Sequence, residues 1–170
     1  AAENGVSLKL DVEKVYFSPR MSSERKRIAD LIKPNESVLV MFSGSAIYPL
    51  VIAKNSKCKE AYGIEINPVA HKYALENIKK NKLENKIKLF LGDVKRVMPK
   101  INKKFNRILM PLPKGGENFL DLSLKYIKNK GIIHFYDFLH EDEFYKAEEK
   151  IKTSCEKSKK KCKILQVIKC

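Results

Sequence analysis

Long apolar runs are missing from this chain. None approaches the ~18 residues that a membrane-crossing helix needs, and no secretory signal pattern opens it. No membrane-spanning helix is therefore expected among these residues. Four cysteines stand at 58, 155, 162 and 170, yet no two form a C-x-x-C pair. That excludes a zinc ribbon and a thioredoxin-like redox motif; no metal is expected. Reduced thiols of a cytoplasmic protein are the expectation. No internal repeat is present. Acidic residues are scarce, 20 against 35 Lys plus Arg, for a net charge of +15. An excess this large favours a polyanionic partner, nucleic acid first, over a merely Lys-rich solvated surface. Glycine is sparse too. A dinucleotide fingerprint G-x-G-x-x-G needs glycine at 44, 46 and 49, where this chain has Gly44, Ala46 and Pro49. A nicotinamide dehydrogenase is disfavoured.

What remains is enough for one packed domain: 170 residues, 44% of them hydrophobic. Residues 6–19 alternate and predict one or two strands before a turn at Ser18-Pro19. A helix follows, capped by Ser22 or Ser23, with Ile28, Leu31 and Ile32 on its apolar face. Strands are then expected at 37–42, 61–67, 87–93, 105–110, 131–138 and 162–168. Helices are expected at 45–55, from Pro68 to about Leu83, at 117–129 and at 141–157. Asn67-Pro68 is a cap followed by proline at the first helical position. Strands alternating with helices, the middle ones apolar on both faces, predict an α/β fold: a doubly wound, mostly parallel sheet with helices on each side.

Such sheets bind ligands at the carboxyl ends of their strands, where strand order reverses. The first of these ends carries Gly44, whose missing Cβ allows a tight turn and a close ligand. The second carries Glu65, about 20 residues on, where a carboxylate can accept both hydroxyls of an adenosine ribose. The third carries Asp93, within reach of an adenine edge. The fourth runs into "MPLPKGG" (110–116), a rigid, donor-poor loop whose carbonyls are expected to stay free for a target base. Tyr136, ending the fifth, is a candidate for the base pocket, with core packing the equal alternative. His71 and His134 have no partner motif and are expected to be structural.

Three stretches go further. "VYFSPRMSSERKRI" (15–28), "MFSG" (41–44) and "LPK" (112–114) resemble the archaeal and eukaryotic tRNA (guanine-N1)-methyltransferase family. The resemblance runs from about Leu8 onward. It implies a Rossmann-like class I methyltransferase that uses S-adenosyl-L-methionine on the guanine 3′ of the tRNA anticodon. The cofactor would lie against Phe42, Gly44, Glu65, Ile66, Asp93 and Val94. Glu24 would be the base that takes the N1 proton. Arg20 would hold the target base and stabilise charge on O6. Pro111 and Pro113 would line the catalytic loop, with Lys114 and Tyr136 contacting substrate. The chain departs from the family at Val40, where an acid is usual, at Ala46, usually glycine, and at Pro111, usually asparagine. The last leaves open a wyosine-type base at the same tRNA position, with a methyl or an aminocarboxypropyl transfer, and the three together leave open a non-catalytic tRNA-binding module. The expected organisation is an N-terminal strand/helix extension over 1–34, then a catalytic domain over 35–170 cut short of its last strand. The expected protein is a cytoplasmic monomer.

Overall fold

The computed structural model describes residues 1–170. A small antiparallel ribbon opens the chain, β1 (Ala2–Glu3) and β2 (Val6–Ser7), and a short 3-10 turn at Pro19–Met21 leads into α1 (Ser22–Leu31). Then come β3 (Ser37–Val40), α2 (Ile47–Asn55), β4 (Glu60–Glu65), α3 (Pro68–Lys80), β5 (Ile87–Leu91) and α4 (Val94–Ile101). The chain ends with β6 (Phe105–Met110), a 3-10 turn at Gly116–Phe119, α5 (Leu120–Tyr126), β7 (Ile127–Phe135) and α6 (Tyr145–Lys157). The five later strands make one parallel sheet in the order β5-β4-β3-β6-β7.

β3 sits at the centre because its side chains are apolar in both directions. Val38 and Val40 face Ile28 of α1, Ile32 just past its end, and Ile52 of α2. Leu39 and Met41 face Val94, Val97 and Met98 of α4, Phe105 and Ile108 of β6, and Leu120 of α5. Each such side chain contributes about 1.5–3 kcal/mol when buried, so the two clusters fix the strand order. From β3 the chain steps outward through β4 to β5, then returns to lay β6 on the opposite flank. The reversal opens a cleft above the carboxyl ends of β3 and β6.

Five expectations need correction. Residues 8–17 are not a strand: side chains of α3 satisfy the backbone there, with Asn77 Oδ1 accepting from Lys9 N (2.7 Å) and Asn77 Nδ2 donating to Lys9 O (3.0 Å). Residues 94–101 form α4, which the sequence reading left without an element; Val94, Val97 and Met98 are its buried stripe. Residues 162–168 form no strand. Cys162 is joined to Cys155 of α6 in a disulfide, which also corrects the expectation of four reduced thiols. That link ties the segment's start to α6, and Leu165 and Val167 stay exposed. The helix expected at 117–129 stops at Tyr126, because Ile127 is buried as the partner of Phe105 in the ladder. No helix is long and apolar enough to cross a membrane.

Candidate functional site

Gly44, Glu65 and Asp93 meet at the carboxyl ends of β3, β4 and β5. The turn after β3 needs unusual backbone: φ is +33° at Phe42, +55° at Gly44 and +68° at Ala46. Phe42 is held in place edge-on to Phe119, ring centroids 4.9 Å apart. The Glu65 carboxylate bridges two turns, accepting from Gly44 N (2.9 Å) and from Asn67 N (2.8 Å). Each of its oxygens keeps a lone pair for a hydroxyl. Asn67 caps α3 through Val69 N (2.9 Å), as the sequence predicts. Asp93 caps α4 with one oxygen through Lys95 N (2.9 Å); its other oxygen makes no bond in the protein. Ile66 is 66% exposed beside Glu65 and offers an apolar face. Val94 has a buried side chain; it offers a ligand the first turn of α4, where backbone N–H groups have no intrahelical partner.

Across the cleft, α1 carries a buried carboxylate. Glu24 Oε1 accepts from Arg27 Nη2 (2.7 Å) and from the Tyr136 hydroxyl (2.8 Å), while Oε2 accepts from Arg27 Nε (2.7 Å). Burial pushes its pKa up, but the hydrogen bonds from Arg27 and Tyr136 outweigh that and hold it below the ordinary carboxylate value. Tyr136 also meets the Tyr48 hydroxyl of α2 at 3.2 Å. Burial raises both phenols, Tyr48 to about 12 and Tyr136 further. Tyr136 therefore serves Glu24 and the core side of the cleft together. Arg20 lies one turn before Glu24, exposed and without a bonded partner, so the cation paired to Glu24 is Arg27.

The loop after β6 is tied down more than its prolines imply. Leu112 N donates to Met110 O (2.7 Å), and Phe138 N donates to Pro113 O (3.0 Å). The carbonyl of Pro113 is thus not left free, which corrects the expectation for that position; the Pro111 and Leu112 carbonyls accept no such bond. Lys114 is exposed, its Nζ 5.8 Å from the centroid of the exposed Phe138 ring. His134 is half-buried and packs against the buried Arg107, whose Nη1 lies 2.8 Å from His134 Nε2, and Arg107 forks to Glu36 at 2.9 and 3.1 Å. Burial, then the Arg107 charge, press His134 down to about 4, so it is a neutral structural acceptor.

Sequence reasoning missed Arg27, Tyr48, Asn77 and Arg25. The Glu24–Arg27 spacing of three on one helix was a legible signal. Arg25 was not legible as a tie: it pairs with Glu3 of β1 and donates to Ser18 O (2.9 Å), locking the ribbon under α1. Asn77, fully buried, also reaches Ser45 O (3.2 Å) and so braces the turn after Gly44.

Known proteins resemble this chain in sequence and fold. The TRM5/TYW2 methyltransferase domain matches residues 1–165. The tRNA (guanine(37)-N(1))-methyltransferase Trm5b of Pyrococcus abyssi is 42% identical over 84% of this chain and 41% of its own length. The tRNA(Phe) (4-demethylwyosine(37)-C(7)) aminocarboxypropyltransferase of Methanocaldococcus jannaschii is 37% identical over 92% of this chain and 62% of its own length. The crystal structure of M. jannaschii TYW2 in complex with AdoMet superposes with a TM-score of 0.83 at 36% identity, over 92% of this chain and 71% of that one. The chain thus spans less than two thirds of these curated relatives. With a match along nearly its whole length and the same parallel sheet, the chain belongs to the TRM5/TYW2 methyltransferase domain family.

Proposed function

We propose that this chain is the catalytic part of an S-adenosyl-L-methionine-dependent tRNA methyltransferase. Its target is N1 of the guanine 3′ of the anticodon, and its work belongs in the cytoplasm with its substrate. One observation carries the reading: a ribose-competent carboxylate, Glu65, ends β4, and a buried ionised carboxylate, Glu24, is bonded to Tyr136 just past the end of β7, so both belong to the carboxyl edge of one parallel sheet. The residues present suit the cofactor. Glu65 has lone pairs left for two ribose hydroxyls, Asp93 has a free oxygen, and Ile66 gives an apolar surface for a purine. When bound, the cofactor supplies an electrophilic methyl group on a sulfonium.

Guanine N1 carries a proton near neutral pH, so a base must take it as the ring attacks. Glu24 accepts that proton while the N1 electron pair forms the new bond to carbon. Arg20 stabilises the charge that grows on O6. Lys114 and the Pro111–Pro113 loop border the base on its far side, and the net charge of +15 draws the tRNA backbone in.

Pro111 favours a second reading. Where the family has an amide side chain this chain has none, which suits a base with fewer donors to satisfy, such as a wyosine precursor. Transfer of an aminocarboxypropyl group to that base is the activity named for the M. jannaschii relative. Incubating the chain with donor and, in parallel, a tRNA carrying guanosine and one carrying a wyosine precursor 3′ of the anticodon, then weighing the nucleosides, separates the two. We expect 1-methylguanosine. A product heavier by the aminocarboxypropyl arm selects the second reading. No product from folded protein that binds S-adenosylhomocysteine selects a non-catalytic tRNA-binding module.

A further inference from the structure

Glu24 is held more tightly than a working proton acceptor requires. Both lone pairs of Oε1 are filled, by Arg27 Nη2 and by Tyr136, and Oε2 is occupied by Arg27 Nε. The carboxylate has only 7% of its side chain exposed, whereas Arg27 has 32% and its Nη1 makes no bond within the protein. The holder is therefore asymmetric. Tyr136 is tied on both sides, to Glu24 and to Tyr48 of α2, while Arg27 is partly exposed and bonded only to Glu24. A guanidinium fork fits a phosphodiester as well as it fits a carboxylate.

We propose that Arg27 is a displaceable positioning residue: in the free protein it forks both oxygens of Glu24, and a phosphate of the bound nucleic acid takes its guanidinium. Glu24 then keeps Tyr136 and the neighbouring Cys170 thiol, with Oε2 relieved of Arg27 and open to a proton. The inference rests on Glu24 being the base. It explains why a group meant to accept a proton sits beside a cation that weakens it as a base. Burial is the largest influence on Glu24 and acts to raise its pKa; Arg27 is the largest influence against burial. Once the guanidinium leaves, burial is opposed by much less, and the carboxylate becomes a stronger base when substrate arrives.

Other charged and titratable groups face this carboxylate or its phenol partner. They are His134 of β7, the Cys170 thiol of the last segment, and Tyr48 of α2, with Arg25 of α1 over the Tyr48 ring at 5.8 Å. His134 titrates at about 4, so a rate profile alone would mix the two groups.

Carbon-13 labelling of the glutamate carboxyls reads Glu24 directly, its resonance identified by its loss in Glu24→Gln. In the free protein we expect a midpoint below the ordinary glutamate value, and in Arg27→Gln a midpoint above it. A saturating anticodon stem-loop should raise the wild-type midpoint toward that of Arg27→Gln and leave the variant unchanged. The proposal is overturned if Arg27→Gln leaves the midpoint where it was, or if the stem-loop fails to move the wild type. Should Arg27→Gln not fold, the wild-type stem-loop titration alone decides. Failure of Glu24 as base shows separately, as a Glu24→Gln chain that turns over at the wild-type rate.

Discussion

The two sides of the cleft are built by different means. On the donor side, Gly44, Glu65, Asn67 and Asp93 sit at strand ends and bond to backbone, mostly within a few residues. On the acceptor side, Glu24 depends on Tyr136, 112 residues away, and Tyr136 on Tyr48, 88 residues away. The donor side is a set of turns that each strand–helix junction can form locally. The acceptor side exists only when α1, α2 and the end of β7 have packed together. A change on the first side should disturb one ligand contact; a change on the second should reach chemistry or folding.

The largest effect expected is on the acceptor side. Glu24→Gln should lower turnover by about 10²–10⁴-fold, the usual cost of a lost general base, with S-adenosylhomocysteine affinity kept. Calorimetric titration beside a methyl-transfer assay checks both halves, and an equal loss of donor affinity would break the division between the two sides.

The pH dependence of stability sharpens it next. His134 is held neutral, with a folded pKa of about 4 against 6.5 unfolded. Its pKa is depressed, so its contribution is complete above pH ~6.5 and is lost as pH falls toward 4, where the unfolded chain binds a proton that the native one refuses. The 2.5-unit difference corresponds to roughly 3 kcal/mol. Thermal melts between these limits should show the decline, and His134→Gln, which can still accept from Arg107, should flatten it.

Glu65→Gln should weaken donor binding by about 10–100-fold, the order expected for a hydrogen bond to a charged group, while the melting temperature barely moves. A large fall in stability would mean that the Gly44–Glu65–Asn67 bridge is part of the fold and not only of the site.

Ala46→Gly is the smallest and tests the turn itself. Ala46 has φ +68° and ψ +28°, a left-handed conformation that costs a residue with a Cβ about 1–2 kcal/mol. Its methyl is also buried, so relief of strain and loss of packing oppose each other; we expect net stabilisation of about 0.5 kcal/mol by chemical denaturation. Destabilisation would show that the methyl's packing outweighs the strain.

The alternating pattern placed every strand of the main sheet, because an apolar run such as Val38 to Met41 has no favourable state other than burial on both faces. The cap at Asn67 and the glycine turn at 44 were legible for the same reason: their geometry is decided by neighbours in sequence. The ribbon at the N-terminus was hidden because Asn77 and Asn81, far along the chain, take the backbone bonds of residues 7–9. α4 was obscured by Pro99, which sits inside the helix and lacks the N–H that would bond the carbonyl of Lys95. The last expected strand failed because an apolar run needs an edge to pair with, and the Cys155–Cys162 link ties its start to α6.

By itself, then, the sequence determined the parallel sheet, the position of its ligand-binding edge and the identity of the residues at each strand end. Those follow from local periodicity and turn chemistry. Tertiary structure decided the state of Glu24, the occupation of the Pro113 carbonyl, and the neutrality of His134. Each of these depends on burial and on a partner many residues away. Desolvation and ion pairing arise only between groups that folding brings together.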